Sequence, residues 1–334
     1  MIDYEIEIQT AIKSNSYKYS DIFDFRGTPN ETLFSQFYGF CRENLEIQSG
    51  KIKITPNFFI FSNEFSVNAT AIKTKNGIYG IKINLGLFAY CINNILNNSE
   101  LDNYIKNEFQ SLFNLLDNPP SGLSFQIATQ FTYYHELGHL MQLTKPLDKA
   151  LALEERPLDN STYNIENHKL EINADTYASI AIASHIQQYA ENIFGKDIDN
   201  LKIESLIKIL LSSLLNYIAS FSDDLSNVYL DEKSHPHPFI RMFSIGLNVI
   251  HYLNQSPFLL EKNIKLNANQ LNKDVFDFYE QLEKNNIYTT NFGTALDIVF
   301  DIREDIIKYL GELIDFNLIN YNNALELWNK QFED

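Results

Sequence analysis

The chain has 334 residues, 45% hydrophobic and 21% charged, which is enough apolar material for a sizeable core in one large domain or two intimate ones. With 26 basic residues against 43 acidic ones the formal net charge is -17, which repels phosphate backbones and acidic headgroups and argues against nucleic-acid or membrane-surface binding. The same composition, with 25 Phe and 19 Tyr, excludes disorder over most of the chain.

The opening residues, Met1 to Glu7, are acidic and alternating and lack the basic and apolar regions of a secretory signal, so a cytoplasmic location is expected. From Glu31 to Asn44, Leu33, Phe34, Phe37, Tyr38 and Cys41 recur at three- and four-residue spacing, which predicts a helix with one apolar face entered after Pro29. Between about 51 and 84 the pattern changes to short β-rich runs: Phe58 to Phe61, then Ser66 to Lys75 and Ile78 to Asn84 around Asn76-Gly77. Asn-Gly accepts the positive φ angles of a tight hairpin turn, so a small antiparallel sheet is expected.

From Leu85 onward helical periodicity predicts helices at about 85–97, 100–116, 122–143, 163–191, 200–221, 237–254, 273–285 and 294–315. In the last of these Leu296, Val299, Ile302, Ile306 and Leu310 make one stripe. Turn-forming residues break the pattern at 118–122, 145–160 and 231–238. The longest apolar run, Leu206 to Phe221, is interrupted by Lys208, Ser212, Ser213 and Asn216 and falls short of the ~20 residues of a bilayer span, so no membrane span is expected. Cys41 and Cys91 sit in apolar contexts and read as reduced core residues. The expected fold class is α+β, predominantly helical, with the small antiparallel sheet beside the active-site helix. The expected parts are 1–98, 99–255 and 256–334, packed as one compact unit.

Chemistry concentrates in three patches. His135-Glu136-Leu137-Gly138-His139 places two histidines four apart on a predicted helix, so their ring nitrogens can converge on one ion at the ~2.0–2.1 Å that zinc requires. With 7 histidines in 334 residues a chance match is rare. Glu136 is expected to stand beside the metal, where it can act on water. Gln142 and Lys145 occupy the positions where a metzincin carries Gly and His, which excludes that class. On the next predicted helix Glu171 and Asp175 share one face with Ala174 and Ala178, small enough for close helix approach. Glu171 is then the natural third ligand, and Asp175 a carboxylate able to orient a ligating imidazole. His168 is read as a helix-surface histidine. In the third patch, Ser234 to Arg241, two His-Pro pairs stiffen a loop, and His235 or His237 could donate to a developing oxyanion while Arg241 fixes the carboxylates around the metal.

With its HELGH and its Glu171-to-Asp175 ExxAD, the sequence resembles the gluzincin group of zinc metallopeptidases, which implies a zincin-like fold. His235, Pro236 and Arg241 look like the third motif of the prenyl-protein and heat-shock membrane endopeptidases of that group. That resemblance implies that His235 aids transition-state binding and that Arg241 supports the glutamate ligand, although those enzymes carry transmembrane helices and none is predicted here. Glu171, Ala174, Tyr177 and Ala178 also match a segment of the soluble peptidases of the ImmA/IrrE kind, and the pattern resembles the Lit-like phage-exclusion peptidases as well. The resemblance spans about 110 residues, Thr129 to Arg241.

The expected function is a zinc endopeptidase acting on an intracellular protein or peptide, with His135, His139 and Glu171 as ligands and Glu136 as general base. A catalytically idle zinc-containing binding or regulatory protein is the alternative. The oligomeric state is left open.

Overall fold

The computed structural model describes residues 3–144, 163–222, 225, 228–233, 235–290, 292, 295, 298 and 301–330, with only the backbone at 303 and 314–320, and its described residues fall into two compact units. One is drawn from Met1–Tyr90, Thr132–Asn160 and Glu326–Asp334; the other from Cys91–Phe131 and Ser161–Leu325.

The first unit begins with α1 (Tyr4–Lys13), whose N-terminus is capped by the Asp3 carboxylate accepting from Glu5 N–H. Tyr4, Glu7, Ile8 and Ala11 form its buried face, a helical spacing hidden in the sequence because one member is a carboxylate. Helix α2 (Glu31–Ile52) runs well past the predicted 44, burying Leu45 and Gln48 on the same stripe as Phe34, Phe37, Tyr38 and Cys41, and stops where Lys53 turns left-handed at φ 58°. Three strands follow: β1 (Asn57–Ser62), β2 (Ala69–Lys73) and β3 (Tyr79–Asn84). β2 and β3 are antiparallel across the Asn76-Gly77 turn, where Gly77 has φ +75°.

The sheet is mixed rather than antiparallel throughout, with order β1-β3-β2, because β1 pairs with β3 in parallel, Phe59 opposite Ile81. The chain reverses twice between these strands, after Ser62 and at Gly77, so β3 returns in the direction of β1. On its other side β1 is met by α1. Phe59 N–H donates to the Glu7 carboxylate (2.7 Å), Phe61 N–H donates to the Tyr4 hydroxyl (3.0 Å), and Arg42 Nε lies 3.0 Å from Glu7. Burial pushes the Glu7 carboxyl above its ordinary range.

This unit includes Thr132 to Thr144 of α6 (Pro120–Thr144), and the sheet lies next to that stretch as expected. The Phe59 and Tyr133 rings are 6.4 Å apart, Tyr133 donates to Asn44 Oδ1 (2.9 Å), and Lys73 Nζ reaches the Leu143 carbonyl (3.4 Å).

The Met1–Tyr90 stretch of the first unit ends with α3 (Leu85–Tyr90). The second unit begins with a π-helical turn over Cys91–Leu96, and α4 (Ser99–Glu108) and α5 (Gln110–Phe113) split at Phe109 the helix predicted over 100–116. Then come the first half of α6, α7 (Ile165–Phe194), α8 (Asn200–Ala219), α9 (Pro238–Gln255), α10 (Pro257–Glu261), α11 (Ala268–Lys284) and α12 (Arg303–Asn329). Asn98, Asn164, Asp199, Ser256 and Asn267 each cap a helix start by accepting a backbone N–H. Along α7, Ala174, Ala178 and Ala181 are fully buried, and α7 packs on α9. Helix α11 starts at 268, five residues before the prediction, and α12 extends to 329 where 315 was predicted. Leu296 and Val299 of the predicted stripe, and the break at 145–160, lie outside the described residues.

Cys41 and Cys91 are buried and free. Among the described residues no helix is long and apolar enough to cross a membrane.

Candidate metal centre

Pro120 occupies the first turn of α6, where its missing N–H costs nothing, and the helix then runs unbroken past the histidine pair. His135, Glu136 and His139 are 9%, 7% and 8% exposed, so this polar face is almost dry. The two imidazoles stand edge to face at 4.6 Å, and their Nε2 atoms are 3.0 Å apart. Two tetrahedral ligands at zinc distance from one centre are separated by about 3.3 Å, so this spacing suits a shared ion. His139 Nδ1–H donates to Gln142 Oε1 (2.9 Å), which leaves the Nε2 lone pair pointing at the centre. Gln142 therefore acts as an orienting residue. In the sequence it stood only for a glycine that was missing; the available signal was an amide three residues beyond a candidate ligand on one helix.

Glu171 of α7 completes the group: one ligand atom from each of His135, His139 and Glu171 lies within 4.8 Å of the other two. All three side chains are buried, and Cys41 and Cys91 do not belong to the group.

One turn beyond Glu171 on α7, Asp175 is fully buried and is gripped by Arg241 of α9, with Nε on Oδ2 (2.8 Å) and a terminal nitrogen on Oδ1 (2.7 Å). Burial by itself would lower the guanidinium pKa, but the Asp175 carboxylate more than offsets this and keeps Arg241 charged. Arg241 thereby braces the helix that carries Glu171.

The two His-Pro histidines part ways. His235 is half exposed, 51% at the side chain, with Nε2 3.5 Å from Glu171 Oε1. His237 is fully buried: its Nδ1 accepts from Phe239 N–H (3.1 Å) to cap α9, with Pro238 at the first helical position, and its ring lies 5.0 Å from that of Tyr229. Ser234 lies outside the described residues.

His168 is not a surface histidine. It is fully buried, Nδ1 accepts from the Tyr309 hydroxyl (2.5 Å), and Nε2–H donates to the Lys233 carbonyl (2.7 Å). Burial, opposed by the Lys233 bond, lowers its pKa and keeps it neutral. Both partners are remote in sequence, so local pattern could not reveal them.

No family model, curated protein or solved structure matches the chain.

Proposed function

We propose that the protein is a zinc-dependent endopeptidase of gluzincin type, hydrolysing peptide bonds of an intracellular protein. The observation that carries this reading is the convergence of His135, His139 and Glu171, with Glu136 between the two histidines. The donor set fits zinc: two imidazoles, one with its tautomer set by Gln142, and one carboxylate are the three-ligand pattern of sites that keep a position open, whereas closed structural sites favour cysteine.

Zinc bound there supplies Lewis acidity, polarising a carbonyl and lowering the pKa of water at the open position toward ~7. Glu136 takes a proton from the attacking water at its carboxylate and later delivers it to the leaving amine. His235, half exposed beside Glu171, donates from Nε2 to the carbonyl oxygen as negative charge develops there. His237 is committed to capping α9 and takes no part. Arg241 and Asp175 act by stiffening α7 one turn from the ligand.

Two variants test the reading. His139→Ala should lose zinc and remain folded, measured by metal analysis and circular dichroism after reconstitution. Glu136→Gln should keep zinc and lose cleavage by ~10²–10⁴ or more, since it removes a group that serves as base and then as acid. Full proteolysis by Glu136→Gln, or a wild-type chain that takes up no zinc, would sink the proposal.

A further inference from the structure

We infer that His168 is a positioning residue: through the Lys233 carbonyl it holds the turn that sets His235 beside Glu171, an inference that rests on the peptidase reading only for its catalytic consequence. His168 lies three residues before Glu171 on α7, and its two hydrogen bonds, at 2.5 and 2.7 Å, leave neither ring nitrogen for any other duty. They also fix the tautomer: Tyr309 O–H needs an acceptor at Nδ1, and the Lys233 carbonyl needs a donor at Nε2. Lys233 stands two residues before His235, a span of at most ~7 Å, so anchoring that carbonyl sets where His235 can reach.

The same segment is braced twice more. The Lys233 ammonium lies 4.8 Å from the centre of the Tyr229 ring, and that ring packs at 5.0 Å on His237, the cap of α9. Residues 229–233 and 235–237 are thus held by α7 at Lys233 and by α9 at His237, and His235 is the histidine left exposed between the anchors. A residue that only filled space at position 168 would be apolar. A buried imidazole spending a donor on a loop carbonyl 65 residues away is suited to hold that carbonyl in place.

Limited trypsin digestion of the full chain reads the tether directly, because Lys233 is exposed and the bond after it is the one to be cut. Loss of a single carbonyl hydrogen bond corresponds to about tenfold in the local opening equilibrium. His168→Phe should therefore be cut after Lys233 about tenfold faster than wild type. His168→Gln, which retains an N–H donor and an oxygen acceptor, should return most of the protection, and Tyr309→Phe should fall between. In the zinc-loaded chain acting on a peptide, His168→Phe should lower kcat with KM and zinc content kept, and the His168→Phe/His235→Phe pair should cost no more than His235→Phe alone.

Wild-type cutting in His168→Phe, or His168→Gln cut as fast as His168→Phe, overturns the inference. If His168→Phe fails to fold, Tyr309→Phe decides, and an unchanged cutting rate there overturns it as well. A wild-type chain without peptidase activity would remove the proposed function while the cutting rates still judge the tether.

Discussion

Around β1, the rings of Phe25, Phe34, Phe59, Phe61 and Phe88 meet at centroid separations of 4.3 to 5.7 Å. Along α7, His168 and Asp175 are just as deeply buried, and hydrogen bonds of 2.5 to 2.8 Å tie His168 to Tyr309 and the Lys233 carbonyl and Asp175 to Arg241 of α9. The aromatic cluster gains from area removed from water and tolerates any group of similar shape. The polar cluster gains little net stability over a well-packed apolar replacement, but each member fails badly when its partner is removed. Directional order of this kind flanks Glu171 on α7, at His168 and at Asp175.

The largest expected effects test that difference. Arg241→Leu leaves the Asp175 carboxylate buried and uncompensated and should cost about 3–5 kcal/mol in urea unfolding. Phe61→Ala should cost a similar ~3–5 kcal/mol through the cavity it opens. A second change separates the two: Asp175→Leu added to Arg241→Leu should recover most of the loss, because no charge is then left orphaned. A double variant as unstable as the single one would break the comparison.

Acid gives a smaller effect with opposite signs in the two regions. His168 and His185, both on α7, are held below the ordinary histidine range by burial, His185 at about 4. The unfolded chain takes up these protons near ~6.5 and the folded chain does not, so their contribution is present above that pH and declines as pH falls below it. Glu7, raised by burial, has the reverse sign: its contribution is present at low pH and is lost as pH rises through its folded value. Hydrogen exchange of metal-free protein should therefore show α7 losing more protection than β1 between pH 7 and pH 5. Equal loss in both regions would contradict these assignments.

The smallest effect sets the scale for a polar contact in water. Asp199→Ala removes the exposed cap that accepts Lys202 N–H at 2.8 Å and should cost ~1 kcal/mol with zinc content unchanged, by thermal melting and metal analysis.

Much of the second unit was legible because α7 to α9 obey period and capping rules that act within a few residues. The approach of His135 to His139 was legible for the same reason, since helical spacing alone brings the two rings together, whereas Glu171 comes from another helix and its place in the group does not follow from spacing. Features settled by remote partners were not. Helix α1 hid behind Glu7, whose burial makes sense only once Arg42 and the Phe59 amide are in place. The parallel pairing of β1 has no local turn to announce it, whereas Asn76-Gly77 announces the β2–β3 hairpin. His168 depends on Tyr309, 141 residues away, and no periodicity spans that distance.

The Glu7 carboxylate and Tyr4 hydroxyl that take up the Phe59 and Phe61 amides bear on how this chain behaves in company. An extended segment rich in phenylalanine with free amides along its rim is a template on which another molecule can stack, the first step toward a fibril. By filling that rim with side chains from α1, the fold keeps its stickiest strand, Asn57–Ser62, from recruiting neighbours. The opening helix therefore works as a guard on solubility, and a nascent chain in which it has yet to dock is the form most exposed to clumping.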